Sequence, residues 1–251
     1  MYDPDSRALG SVIAKHIKNK GFPLKIYKLL WESCVLSIGL YGAEVWGFQP
    51  KKSSDKLFHR AIRTYLGLGL TAPLAAAKAE LLWLQPTSHA HLKMVNLFNK
   101  IRQLPEERLT RKVLDWELNL TNRHPTMKTW SSEIRNILSN NYLEIYFKTL
   151  VHKRYLSQSH KHSLLNKNIL CYENMCRESP MLNMYCKINN FYETKSYLSM
   201  PMSFPHKKRY VQCRMGILPI RSHLGRFDRP GNPETDRLCE YCTLRKCDDI
   251  V

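Results

Sequence analysis

Cysteines and an excess of cations are the residues of this chain best suited to chemistry. Cys239-Glu240-Tyr241-Cys242 is the sharpest local pattern. Two thiolates at that spacing can grip one zinc ion from a tight turn, the usual first half of a structural site. A tetrahedral site needs two further ligands. Downstream there is only Cys247, and upstream His223 and Cys213 could contribute. Cys239 and Cys242 are therefore either an incomplete zinc site or two free thiols. A thioredoxin-like redox pair would need a βαβ setting, and the pattern offers none.

The cations gather in three places. Lys207, Lys208 and Arg209 precede Tyr210, with Arg214, Arg221 and Arg226 following. Such runs place phosphate-seeking charge next to aromatic faces. His152-Lys153-Arg154-Tyr155 is a second cluster, and Arg60 with Arg63 a third. Across 251 residues, 39 Lys and Arg against 21 Asp and Glu leave a net charge of +18. That balance points to a polyanionic partner, RNA and/or DNA, with a merely solvated basic surface as the alternative.

Catalytic sets are missing from the pattern. Nucleotidyl transfer by two metals needs carboxylates brought close together. The one Asp-Asp pair, Asp248-Asp249, follows Arg245-Lys246-Cys247 and reads as an exposed acidic spacer. No Gly-x-Ser-x-Gly elbow and no glycine-rich phosphate loop occurs. His89 and His91 would point about 200° apart on a helix, a poor chelate. His160 and His162 flank Lys161. Both histidine pairs read as solvated.

The elements that must position these residues are helices, so the expected class is mainly α: a bundle-like array with a small, incomplete Cys-rich segment at the C-terminus. Asp5 or Ser6 caps a first helix with Ala8, Leu9, Val12, Ile13 and Ile17 inward. A second carries Tyr27, Leu30, Trp31, Cys34, Val35 and Ile38. Leu57, Phe58, Ala61, Ile62, Tyr65 and Leu66 form one stripe of a basic amphipathic helix, closed by Gly67, Gly69 and Pro73. Further helices are expected from Leu74 to Leu82, after a cap at Ser88, from Pro105, from Ser131, over Tyr142 to Leu156, and over His206 to Gly216. The pattern weakens after Ser157. The expected division is a helical region over 1–156, a poorly patterned linker over 157–203, and a basic helix with a zinc-knuckle-like tail over 204–251.

The order of these landmarks resembles a known family. Leu40-Tyr41-Gly42-Ala43-Glu44-Val45-Trp46-Gly47, then His59-Arg60-Ala61-Ile62-Arg63-Thr64-Tyr65-Leu66-Gly67, then Thr71-Ala72-Pro73, resembles the segment after the polymerase palm in LINE-type (non-LTR) retrotransposon reverse transcriptases. Arg7-Ala8-Leu9-Gly10, Trp130-Ser131-x-Glu133-Ile134 and Asn190-Phe191-x-Glu193-Thr194 are similar to further landmarks. Arg209 to Pro219, Gly225-Arg226-Phe227 and Arg237-Leu238-Cys239-x-x-Cys242 resemble the tail of the same polyproteins. In that family the cysteine pair leads through an acidic stretch to a His-x4-Cys, which completes a zinc site. Asp248-Asp249-Ile250 matches the acidic stretch, and the second ligand pair has no counterpart before Val251.

The resemblance implies a C-terminal, nucleic-acid-binding fragment of an RNA-directed DNA polymerase. The polymerase and endonuclease sites would lie upstream, with the palm as intramolecular partner. A free-standing helical scaffold or an inert transposon relic is the other expectation. The polar opening Met1-Tyr2-Asp3-Pro4-Asp5 is no signal peptide, so the thiols read as reduced and the chain as intracellular, in nucleus or cytoplasm, and not secreted. Glu32 and Glu44 interrupt the most apolar window, so no membrane partner is expected.

Overall fold

The computed structural model describes residues 4–18, 22–48, 52–124, 126–149, 153–193, 195–200 and 202–217. Among them there are helices and connecting turns and no strand, as the sequence leads one to expect. The helix α1 (Pro4–Lys18) buries Leu9 and Val12. After Pro23, α2 (Leu24–Leu30) runs into a π-helical turn (Trp31–Leu36) and a short α3 (Ser37–Gly39). Ser33 and Ser37 bond back to the carbonyls of Leu29 and Ser33, which loosens the helical ladder here. Trp31, Val35 and Leu36 still point inward.

A tight corner leads into α4 (Ala43–Trp46). The corner is tied down from two sides. Lys93 donates to the Leu40 carbonyl at 3.0 Å, and the Trp130 indole N–H donates to the Glu44 carbonyl at 3.0 Å. The amphipathic helix α5 (Lys52–Leu66) buries Phe58, Ala61, Ile62, Tyr65 and Leu66 of the stripe expected from spacing, with Leu57 partly buried beside them. Alanine-rich α6 (Leu74–Leu81) is buried on most of its surface. Tyr27, Tyr65 and Trp83 meet at its foot, with ring centroids 5.0–6.2 Å apart.

Pro86 opens α7 (Pro86–Arg102) at its first turn, where a missing N–H costs nothing. Ser88, the expected cap, is buried inside that helix. Pro105 heads a turn rather than a helix, and α8 begins later (Leu109–Arg123). Thr129 caps α9 (Trp130–Ser139) in a reciprocal box with Ser132. The single helix expected over Tyr142 to Leu156 is divided: a left-handed residue at Tyr142, a short α10 (Ile145–Lys148), and then a new helix.

That new helix corrects the expected linker. Residues 153–177 form α11 (Lys153–Arg177), and α12 (Asn183–Ile188) follows a 3-10 turn (Pro180–Leu182). Ile169, Tyr172, Cys176, Leu182, Tyr185, Phe191, Tyr197 and Leu198 all join the main core. The last described helix, α13 (Phe204–Arg214), packs on α5 and α12 and adds Val211 and Met215 to the same core. Thus the described residues of 157–203 form packed structure, and α13 is no separate unit. A smaller core around Met94, Phe98, Ile134 and Leu138 sits at the far end of α7, which therefore spans both. No helix among the described residues is long and apolar enough to cross a membrane.

Candidate nucleic-acid interface

The α5–α13 contact brings together most of the described cations singled out above. Its chemistry divides them into two groups, one turned inward and one outward. Lys207 is 7% exposed, and its ammonium lies 5.2 Å from the Tyr65 ring centroid while donating to the Tyr65 hydroxyl at 3.2 Å. Burial holds its pKa below the usual lysine value, and among the described residues no carboxylate pairs with it. Lys207 is thus a packing residue of the seam, not a free phosphate ligand. A cation–π contact of this desolvated kind contributes about 2 kcal/mol.

Arg214 is also turned inward. Its Nε donates to Glu80 Oε1 at 3.0 Å and its Nη2 to Asn189 Oδ1 at 3.0 Å, with the Tyr197 ring 5.6 Å away. Glu80 is 1% exposed and also accepts from the Tyr197 hydroxyl. Arg63 is half-buried and ties α5 to the turn that follows it, donating to the Ala72 carbonyl at 3.1 Å. These three contacts correct the expectation that Lys207, Arg214 and Arg63 reach for phosphate. Their charges are committed inside the fold.

Lys208, Arg209 and Arg60 are exposed, and Lys56 and His206 join them. The Lys208 stem crosses Gly67 so closely that a Cβ there would meet Lys208 Cγ at 2.9 Å. Gly67 also has φ +67°, so glycine suits the position twice over. This approach seats Lys208 at the C-terminal end of α5. Arg60 lies on the same helix about 10 Å nearer its start, from a rise of 1.5 Å per residue. Lys207 therefore fixes α13 against α5 and Arg214 fixes it against α6, and the outward trio projects from these packed helices.

Neither family models, nor characterised proteins, nor solved structures give a match to this chain.

The other site expectations fall elsewhere. Arg221, Arg226, Cys239 and Cys242 lie outside the described residues, as does His152. Among the described residues no group of three or more His, Cys, Asp or Glu could hold a metal. The histidines differ from expectation. His160 is fully buried, and both its ring nitrogens lack a hydrogen-bond partner. Burial, with His91 nearby, pushes its pKa down to about 4. Burial does the same for His89, helped by Lys161, Lys28 and Lys93. Lys161 and His162 are exposed.

Sequence reasoning missed the inward role of Lys207, although a signal was there. Lys207, Val211 and Met215 lie at i, i+4 and i+8, so the lysine shares the buried stripe of α13.

Proposed function

We propose that this chain is a nucleic-acid-binding, non-catalytic segment of a LINE-type reverse transcriptase polyprotein. Its role is to hold RNA or DNA while catalysis proceeds elsewhere in the parent. The observation that carries the reading is the exposed trio Lys208, Arg209 and Arg60 on α13 and α5, which Lys207–Tyr65 ties together while Arg214–Glu80 ties α13 to α6. Cations carried on packed helices meet a phosphate backbone without the cost of ordering the main chain. The charge of +18 supplies long-range attraction to the same partner. The order of sequence landmarks supplies the family.

The test is a triple variant, Arg60→Ala, Lys208→Ala and Arg209→Ala. Each phosphate contact contributes a slope of about −0.9 to log K against log salt on duplex DNA. Removal of three contacts should flatten the slope by about 2.7 on that scale. A variant that binds with unchanged slope and affinity removes this surface from the interface.

A second reading has an observation of its own. Leu109, Val113 and Trp116 stand exposed along one side of α8. An apolar stripe of this kind suits a protein neighbour, and it favours the helical-scaffold alternative. Wild-type protein with no salt-dependent affinity for RNA or DNA would select that alternative.

A further inference from the structure

Three described helices end in the same hydrogen-bonded turn. At the end of α5, Leu68 N–H bonds the Arg63 carbonyl at 2.8 Å and Gly67 N–H the Thr64 carbonyl at 3.2 Å. After α13, Ile217 N–H bonds Gln212 at 2.9 Å and Gly216 N–H bonds Cys213 at 3.0 Å. After α9, Leu143 N–H bonds Leu138 at 2.8 Å and Tyr142 N–H bonds Ser139 at 3.0 Å. Each turn needs one residue in the left-handed region, and glycine fills it at no steric cost. Gly67 and Gly216 do so at φ +67° and +65°. The third turn has Tyr142 at φ +58°.

Nothing in the fold rewards this tyrosine. Its side chain is 96% exposed. Leu82 at φ +50° closes α6 in the same left-handed conformation, but Tyr142 is exposed and gains no packing in return.

Tyr142 stands at the edge of a cleft of about 860 Å³ between this turn and α11. The α11 side of the cleft is a polar stripe, Ser159, His162, Ser163, Asn166 and Lys167, at i, i+3, i+4, i+7 and i+8, ended by Leu170. The stripe is hydrogen-bonded to the turn, and Lys167 Nζ donates to the Asn140 carbonyl at 3.4 Å. Asn166 and His162 are hydrogen-bonded at 3.1 Å, and Ser163 donates to the Asn141 carbonyl at 2.8 Å, which ties α11 to the turn. An exposed ring beside donors, acceptors and a cation suits a flat ligand with polar edges and negative charge. A base has a π-face to stack and edges to bond, and its phosphate suits an ammonium.

We propose that the cleft between α11 and the turn at Tyr142 binds one unpaired nucleotide of a single strand, with its base stacked on Tyr142 and its phosphate near Lys167. The proposal rests on the nucleic-acid-binding reading above and adds a preference for single strands. It uses a surface apart from Lys208, Arg209 and Arg60.

The experiment compares wild type, Tyr142→Gly and Tyr142→Phe by fluorescence anisotropy with a short oligoadenylate strand and with a blunt RNA duplex. Thermal unfolding is measured on the same samples. Tyr142→Gly should bind the single strand about tenfold more weakly, within the range for loss of one base–aromatic stack. Its duplex affinity should not change. Its Tm should stay level or rise, because glycine adopts the left-handed conformation without strain. Tyr142→Phe keeps the ring and should keep single-strand binding. Unchanged single-strand affinity in Tyr142→Gly overturns the proposal. So does an equal loss on duplex, or displacement of the strand by a neutral glucose oligomer. If wild type binds duplex alone, the cleft proposal fails and the wider reading stands. If it binds neither, both fail.

Discussion

Glu80→Ala should destabilise the fold by about 3–5 kcal/mol, the range for breaking a buried ion pair from one side. Glu80 lies on α6 with 1% exposure, and it accepts from both Arg214 and Tyr197. Truncation leaves the Arg214 guanidinium, itself mostly buried, with Asn189 as its remaining hydrogen-bond partner. The contact joins residues 134 positions apart, so its loss acts on the docking of α13. Denaturant unfolding of the single variants and of Glu80→Leu with Arg214→Met measures it. The double replacement should cost much less than the sum of the single truncations, because it leaves no orphaned charge. Additive losses would mean that the two groups act independently.

Acid should unfold the protein partly through His160. The folded pKa is about 4, below the ordinary 6.5 of an unfolded histidine. Between those values the unfolded chain binds the proton and the folded chain does not. Stability is therefore fully present above pH 6.5 and falls as the pH drops toward 4. At 1.36 kcal/mol per unit, the loss from this one residue reaches about 3 kcal/mol at pH 4. The surrounding charge acts in the same direction: His91 on α7 faces His160, and Lys167 lies close to His91. His160→Leu also removes two buried nitrogens that have no partner, so at pH 7 it should match or exceed wild type. Its plot of stability against pH should be flatter over that interval. A parallel plot would place the acid sensitivity elsewhere, with His89 the next residue to replace.

The helical class and the α5 stripe were legible because each lies in one strong period. Phe58, Ala61, Ile62, Tyr65 and Leu66 repeat at helical spacing, and the structure buries all five. The same rule failed on α11 for a physical reason. That helix packs on α6 and α7 along one side, through Leu156, Leu164, Ile169, Tyr172 and Cys176, and carries a polar cleft stripe along another. His160 is buried among the apolar positions, so a polar letter occupies a core site. The sum reads as scattered, and scatter reads as linker.

The candidate interface was half legible. Charge runs mark where cations gather, but the chain alone does not say what lies beneath them. Tyr65 is 142 positions from Lys207, and Glu80 is 134 positions from Arg214. The stripe with Val211 and Met215 marks Lys207 as inward, but only the tertiary contact shows what each inward cation meets. Tyr142 carried no signal at all, since the turn it closes is ordinarily marked by glycine or asparagine.

Equilibrium binding of the purified chain to structured RNA and to duplex DNA over a salt series tests the central claim most directly. Nucleic-acid binding through the outward cations predicts micromolar or tighter affinity, and a log–log slope equivalent to several phosphate contacts. A weak, flat response would contradict it, and the charge of +18 would then serve solubility alone.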